Sequence, residues 1–421
     1  MSYETRNRRV AVTGYGALCS LGNTSEQIWA AIMERRFGYC TRHYEDRTIG
    51  ARFFGMMDED KTIYVGFSKS ILKMLPEFAK YALVASREAL TMAFGENFEL
   101  DQFVSPLDRG VIVGTGWGGV DRINLNYQDY FSTGFATSFG TLMSMNNVAT
   151  AATSMNWNMR GYQNTPIAAC ATGSIAIGDA AEIIRSGRAK VMLAGGSESL
   201  KHIFNVWLID VTQALAKETE DPTKACCPFS LHRNGFVLSE GAAMLCLEDM
   251  EHAQARGARI LGEVTGYGNY SDAFDMTAPA ADMRARIQSI RRACDQAARS
   301  CEEIGYINAH GTSTPLNDAN ETASIKEVFG DHAYQVPVSS TKSYTGHLIG
   351  AAGSLEAIFC LKALETGIVP ATINYRDADP TCDLDYVPNE HRHVEGLQTV
   401  MNLSFGFGGA NAALVFEKVK V

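Results

Sequence analysis

The chain has 421 residues, 46% of them apolar and 20% charged, and a formal net charge of −10 from 37 basic and 47 acidic side chains. That balance describes a soluble globular protein with material for a large core, excludes a disordered or fibrous chain, and offers no electrostatic basis for non-specific nucleic-acid binding. No apolar run reaches the ~18–20 residues of a membrane helix, and ten scattered cysteines, without CxxC and without histidines at ligand spacing, argue against a disulfide framework and against a metal site.

The first element is a strand over residues 9–12. The preceding Arg6-Asn7-Arg8-Arg9 imitates the start of an export signal, but Thr13, Gly14 and Gly16 break the apolar stretch, so it reads as a strand entering a glycine turn and the protein is expected to be cytoplasmic. A helix is predicted over 80–93, then a buried strand over 111–113 that ends in Gly114-Thr115-Gly116-Trp117-Gly118-Gly119. This glycine run lacks the GxGxxG spacing of a dinucleotide site. Helices over 176–186, 284–300 and 355–366 alternate with strands over 191–194, closed by Gly195-Gly196, and over 305–308 and 336–339. Such alternation predicts α/β layers with buried sheets.

Four segments carry chemistry. Cys170 stands in Ala168-Ala169-Cys170-Ala171-Thr172-Gly173-Ser174, where small neighbours admit a substrate. The helix that follows favours the thiolate a nucleophile needs. His310, in Asn308-Ala309-His310-Gly311-Thr312-Ser313-Thr314-Pro315, sits among hydroxyls just after a strand. His347 follows Lys342 within a hydroxyl-rich stretch dense in proton-handling groups. Near the C-terminus, Asn402-Leu403-Ser404-Phe405-Gly406-Phe407-Gly408-Gly409-Ala410-Asn411 interleaves glycines with two phenylalanines. A mobile loop of this kind can gate a pocket and aim backbone N–H groups at an oxyanion. Cys170 and His347 each open a turn of small residues that leads into a helix, 177 positions apart (347 − 170), which predicts two related halves meeting at one site.

Taken together, these segments resemble the elongating β-ketoacyl-acyl carrier protein synthases and the alpha subunits of type II polyketide ketosynthases, in the thiolase superfamily. The resemblance covers nearly the whole chain in family order, with further support from Asp221-Pro222, residues 235–243 and residues 382–388. It implies a thiolase fold: two pseudo-symmetric α/β halves, 1–255 with Cys170 and 256–421 with His310, Lys342 and His347, in a five-layered α-β-α-β-α arrangement.

The activity it implies is a decarboxylative Claisen condensation of malonyl-acyl carrier protein with an acyl chain held on Cys170. His310 and His347 would stabilise the enolate, with Lys342 orienting the site and Glu356 and Asp318 in support. The backbone N–H groups of Cys170 and Phe407 would form the oxyanion hole, and Thr312 and Thr314 would hold the pantetheine arm. Trp117, Phe405, Gly406 and Phe407 would gate or shape the acyl tunnel. No cofactor is implied, since substrates arrive on the phosphopantetheine of acyl carrier protein. The implied partners are that carrier and a second subunit, identical or a chain-length-factor homologue, with no nucleic acid and no membrane.

Four departures bear on the pathway. Trp117 stands where fatty-acid-elongating members carry a smaller aliphatic residue, Asp275 replaces a histidine, Cys227 replaces an arginine that contacts the carrier, and 235–243 reads like polyketide ketosynthases. These favour a polyketide or similar specialised pathway over housekeeping fatty acid elongation. A non-catalytic chain-length factor is disfavoured by the presence of Cys170, and a thiolase by Phe405 and Phe407 where a second cysteine belongs. Because a carrier protein is itself acidic, docking needs a local basic patch, for which Lys69, Lys73 and Lys80 are candidates.

Overall fold

The sequence Val-Thr-Gly-Tyr-Gly occurs twice, at 12–16 and 264–268, and each copy lies in the strand that founds one half of the molecule. The computed structural model describes residues 8–44, 48–57 and 60–419, so Arg6 and Asn7 of the apparent export signal lie outside it.

In the first half, strands β1 (Val10–Cys19), β2 (Arg109–Gly114), β3 (Gln163–Asn164), β4 (Val191–Glu198) and β5 (Gly241–Asp249) pair in the order β1-β5-β4-β2-β3. In the second, β6 (Gly262–Ser271), β7 (Tyr306–Asn308), β8 (Val338–Ser339), β9 (Thr399–Gly406) and β10 (Ala410–Glu417) pair as β6-β10-β9-β7-β8. The two orders are the same, and so are the directions: the first two pairings in each half are antiparallel and the last two parallel. Two register pairs, Ala11 with Glu263 and Val12 with Gly262, join the halves into one ten-stranded sheet.

Helix α1 (Glu77–Phe94) covers β1 and β5, and its counterpart covers β6 and β10 from the far side. Between them come α2 (Val120–Thr133), which is discussed below, and α3 (Thr172–Arg185). The counterpart of α1 is α4 (Arg284–Ala297), followed by α5 (Pro315–Phe329) and α6 (Ala352–Thr366). Helices α3 and α6 each touch strands of both halves, and α6 is buried at every position from Ala352 to Leu364. Helix, sheet, helix pair, sheet and helix give five layers.

The glycines of β1 make no turn. The strand runs through Gly14 and Gly16 because α1 lies directly on its backbone: a Cβ at Gly14 would stand 2.1 Å from the Ala89 carbonyl oxygen, and one at Gly16 2.3 Å from that of Ala85. Gly266 and Gly268 admit α4 in the same way, each 2.0 Å from a carbonyl oxygen of Ala293 or Ser289. Gly195 and Gly196 likewise continue β4 rather than closing it, the second against the carbonyl oxygen of Gly350. Replacing Gly14 by valine therefore forces α1 off the sheet. The expected cost is about 1–3 kcal/mol, read as a lowered calorimetric Tm, whereas Gly257→Val, at a position open to solvent, tests only its positive φ of 69°.

The correspondence between the halves differs from the one expected. The turn 169–171 matches 349–351, with positive φ at Ala169 (47°) and Ile349 (48°), so the counterpart of Cys170 is Gly350 and not His347. The two following helices cross at matching glycines: a Cβ at Gly173 would lie 2.6 Å from the Ser354 nitrogen, and one at Gly353 2.4 Å from Ser174 Oγ. This close crossing brings the two turns to one place.

Candidate active site

Strands β7 and β8 are parallel neighbours, so the residues after their C-terminal ends emerge side by side. His310 follows β7 by two residues. Lys342 begins the short helix after β8, and His347 follows that helix. Cys170 arrives from the other half, on the 3-10 turn Ala169–Ala171 that runs into α3. The thiol of Cys170 and a ring nitrogen of each histidine lie within 4.8 Å of one another, and all three side chains are buried. The imidazole rings stand 5.4 Å apart, edge to face.

The hydrogen bonds decide the tautomers. The Lys342 ammonium, which can only donate, lies 3.3 Å from His310 Nδ1, and the backbone N–H of Ile349 donates to His347 Nδ1 across 3.3 Å. Burial, reinforced by the charge of Lys342, holds both imidazoles well below the ordinary 6.5, so both are neutral. Each neutral ring with an accepting Nδ1 carries its proton on Nε2, and His347 Nε2 is buried without a partner. The site thus holds two N–H donors beside a thiol, an arrangement suited to a developing anion. It suits a metal poorly, because a metal-bound imidazole donates through its other nitrogen whereas here that nitrogen accepts.

The pH dependence has a definite sign. As pH falls below 6.5, the unfolded chain takes up protons at these two histidines that the folded chain refuses, so stability declines on the acid side. The drop in Tm from pH 7 to pH 5 is expected to be smaller in His347→Gln than in the parent protein.

Cys170 differs from expectation. Burial pushes its thiol up to about 12, against the opposing pull of the Lys342 charge and of the Phe407 N–H that hydrogen-bonds the sulfur. The helix N-terminus does not outweigh the loss of solvent, so the resting group is a thiol and not a thiolate. The C-terminal segment also differs. Residues 402–406 belong to β9, and only the turn Phe407–Gly409 separates it from β10. That turn is held by Gly408 N–H on the Met276 oxygen (2.8 Å) and Asp272 N–H on the Gly409 oxygen (2.9 Å). Gly406 has no room for a side chain, since a Cβ there would meet Cys170 N at 3.1 Å and Ala168 O at 2.6 Å. That close approach sets the Phe407 N–H beside Cys170.

A cavity of about 280 Å³ opens onto these groups and is lined by Cys170, His310, His347, Thr312, Thr314, Phe405, Gly406 and Phe407 among others. Phe405 is buried, edge-on to His310 at 5.9 Å between centroids, while Phe407 is 42% exposed. The hydroxyls of Thr312 and Thr314 hydrogen-bond each other at 2.8 Å. Glu356 forms a buried ion pair with Lys342, and burial lifts its carboxyl to about 7. Asp318 accepts the N–H of Phe229 at 2.9 Å and lies 3.6 Å from Arg233, supporting the loop that carries the threonines.

Trp117 does not line this cavity. Its half-buried indole packs instead on a cluster that includes Ile349 and Phe236. Asp275 is exposed and caps its own loop by accepting N–H groups of Thr277 and Ala278, both residues of the cavity wall. Cys227 is buried, with its N–H on Ser313 Oγ, so the side chain at this position is not on the docking surface. Lys80 is committed to Glu77 at 2.9 Å, which leaves Lys69 and Lys73 as the exposed pair of the expected basic patch.

Two positioning carboxylates, Glu321 and Glu198, carry no motif in the sequence, and Asn402 has a positioning role that its motif does not reveal. Glu321 accepts the N–H groups of His310 (2.7 Å) and Gly311 (2.8 Å), and Glu198 accepts those of Gly116 (2.7 Å) and Gly350 (3.1 Å). Asn402 donates to the Gly353 oxygen at 2.8 Å. Glu321 lies eleven residues beyond His310, on the same strand–turn–helix unit, which was the available signal for it. Asn402 heads the glycine–phenylalanine motif, though its role there is not legible, and Glu198 acts across a long sequence separation and left no signal.

Residues 7–253 match the family described as beta-ketoacyl synthase, N-terminal domain, and residues 261–376 match beta-ketoacyl synthase, C-terminal domain. Among curated proteins, the chain is 39% identical to 3-oxoacyl-[acyl-carrier-protein] synthase 2 of Synechocystis sp., over 98% of both chains. It is 40% identical to nodulation protein E of Rhizobium meliloti, over 98% of this chain and all of that one. Among solved structures, it superposes on a chain from a type II PKS acyl-carrier protein in complex with its ketosynthase (TM-score 0.90, 31% identity, 98% of this chain and 100% of that one). It also superposes on a beta-ketoacyl synthase from Burkholderia phymatum (TM-score 0.89, 32% identity, 98% and 100%). Agreement of this kind from end to end, in sequence and in fold, is decisive: the chain belongs to the beta-ketoacyl synthase family and is a ketosynthase, an acyltransferase of the 3-oxoacyl-[acyl-carrier-protein] synthase type.

Proposed function

We propose that this ketosynthase serves a type II polyketide or related specialised pathway, and that it works without a bound cofactor on chains delivered by an acyl carrier protein. In the first half-reaction, Cys170 Sγ bonds the acyl carbonyl carbon, the carbon–sulfur bond to pantetheine breaks, and the cysteine proton leaves on the carrier thiol. The carbonyl oxygen is held meanwhile by the N–H groups of Cys170 and Phe407. In the second, malonyl-carrier loses carbon dioxide. The electron pair of the broken bond becomes an enolate whose oxygen accepts from Nε2 of His310 and His347. The enolate carbon then attacks the Cys170 thioester, the carbon–sulfur bond to Cys170 breaks, and the released thiolate takes one proton from solvent. Thr312 and Thr314 hydrogen-bond the pantetheine arm, Lys342 fixes the His310 tautomer, and Glu356 balances the lysine.

The observation that carries the pathway is Trp117. Its half-buried indole packs on the apolar cluster that includes Ile349, one position from the counterpart of Cys170, and Phe236 of the cavity wall; we infer that it closes the space behind the cavity to a long flexible saturated chain. The type II PKS ketosynthase complex at TM-score 0.90, and the ishigamide ketosynthase/chain length factor, on which the chain superposes with a TM-score of 0.89 and 32% identity, support the same reading. The test is an assay of purified protein with acyl-carriers of graded length and malonyl-carrier. Short or functionalised primers should be extended, and saturated C8–C14 primers should gain rate only in Trp117→Ala. Efficient elongation of those primers by the parent protein would assign it to fatty acid elongation instead.

A dimer belongs to the same proposal. Helix α2 and its continuation leave Ile123, Tyr127, Tyr130, Phe131, Phe135 and Leu142 exposed. An exposed apolar patch of this kind is a surface built to be covered. Light scattering should give twice the monomer mass, and co-expression with a chain-length-factor homologue decides whether the second subunit is identical.

A further inference from the structure

Arg286, on α4, is a cationic group of the cavity wall that the chemistry above leaves unused. Its side chain is 5% exposed, and Nε and Nη1 are buried with no hydrogen-bond partner. The guanidinium carbon lies 4.2 Å from the centroid of Phe405, so one face is stacked and the N–H edges are left free. The acidic groups whose charge reaches it are Glu321, Asp272 and Asp318. All three are engaged elsewhere: Glu321 with the N–H groups of His310 and Gly311 and with Asn317, Asp272 with Asn411 and the Ala280 N–H, and Asp318 with the Phe229 N–H and Arg233. None forms an ion pair with Arg286 among the described residues.

A buried, unpaired guanidinium is costly and calls for an anionic partner. Of the groups a ketosynthase draws into its cavity, the thioester and the pantetheine amides are neutral, and the phosphate lies at the far end of the arm. The carboxylate of a malonyl-type extender is the anion that enters, and a planar fork of N–H donors matches it. We propose that Arg286 binds the carboxylate of the carrier-bound extender unit and so selects a carboxylated extender at this site. The inference rests on the ketosynthase reading. Arg286 is a specificity-determining residue of the extender half-reaction alone, because the acyl primer carries no such group.

The test separates the half-reactions. With Cys170 already acylated, the KM for malonyl-carrier is expected to rise at least about tenfold in R286M, while acyl transfer from acyl-carrier to Cys170, followed by intact mass, stays within roughly twofold. R286K, which keeps the charge but not the fork, should fall between. An unchanged KM in R286M overturns the proposal. So does equal slowing of both half-reactions, which would mean that Arg286 serves the shared pantetheine arm or only packs Phe405. If R286M does not fold, R286Q, which keeps length and polarity without the charge, is held to the same criterion. Absence of any condensation by the parent protein would instead refute the ketosynthase reading itself.

Discussion

Cys170→Ala is expected to lose condensation by at least about 10³-fold, because no other group can carry the acyl chain between the two half-reactions. The remaining cysteines near the cavity do not substitute. Cys226 Sγ donates to the Lys342 oxygen and Cys227 lies under Ser313, neither in the cavity wall. Intact mass after incubation with an acyl donor should show one adduct in the parent protein and none in the variant. The two imidazoles are untouched by the change, so release of carbon dioxide from malonyl-carrier should persist in the variant. An adduct that survives Cys170→Ala, or loss of decarboxylation together with condensation, would contradict the division of labour described here. Because the thiol rests protonated, alkylation by iodoacetamide should be slow at pH 7 and accelerate toward high pH with no plateau near neutrality.

The second large effect is on Lys342. Its ammonium is 1% exposed and paired with Glu356, itself 3% exposed, whose Oε2 already lacks a partner. Lys342→Met strips the carboxyl of its counter-charge, and breaking a buried pair from one side costs about 3–5 kcal/mol. The same change removes the donor to His310 Nδ1, freeing that ring to adopt the tautomer with no proton on Nε2, so condensation falls as well. The pH dependence follows from Glu356, whose carboxyl is already raised from the ordinary 4.5 to about 7. As pH rises above 4.5, the unfolded chain releases this proton and the folded chain retains it, so the group weakens the fold through that range. Without Lys342 the folded carboxyl is pushed higher still, and Tm should fall more steeply between pH 6 and pH 8 than in the parent protein. The double variant Lys342→Met/Glu356→Leu should recover most of the stability and none of the activity. Recovery of both would show the pair to be scaffolding only.

Much of this site was legible in the linear sequence for a local reason. Cys170, His310 and His347 each stand at a turn of small residues between a strand and a helix, and such turns show in composition alone. The strand over 111–113 was visible because a buried parallel strand is an apolar run. The glycine-bearing strands resemble turns in the sequence because the reason for each glycine lies elsewhere in the chain. Gly14, Gly16, Gly195 and Gly196 look like punctuation until α1 and the 349–351 turn are seen lying against them. Likewise the segment 402–411, glycine-rich enough to read as a mobile loop, is mostly strand because β10 and β7 pair with it on both sides.

The sequence by itself determined which groups are candidates for the chemistry: one cysteine among ten, two histidines among nine, and the lysine between them, singled out by the order of their motifs and the family that order resembles. Each motif is a local property of the chain, and it is their order along the chain that points to a family. Tertiary structure alone decided their states. The thiol stays protonated, the imidazoles are neutral with protons on Nε2, Glu198 and Glu321 hold the turns, and Arg286 waits unpaired in the wall. Protonation and pairing depend on how much water remains around a group and on which charges face it across the fold. Here those facing groups come from both halves of the molecule and are set only when α3 and α6 cross.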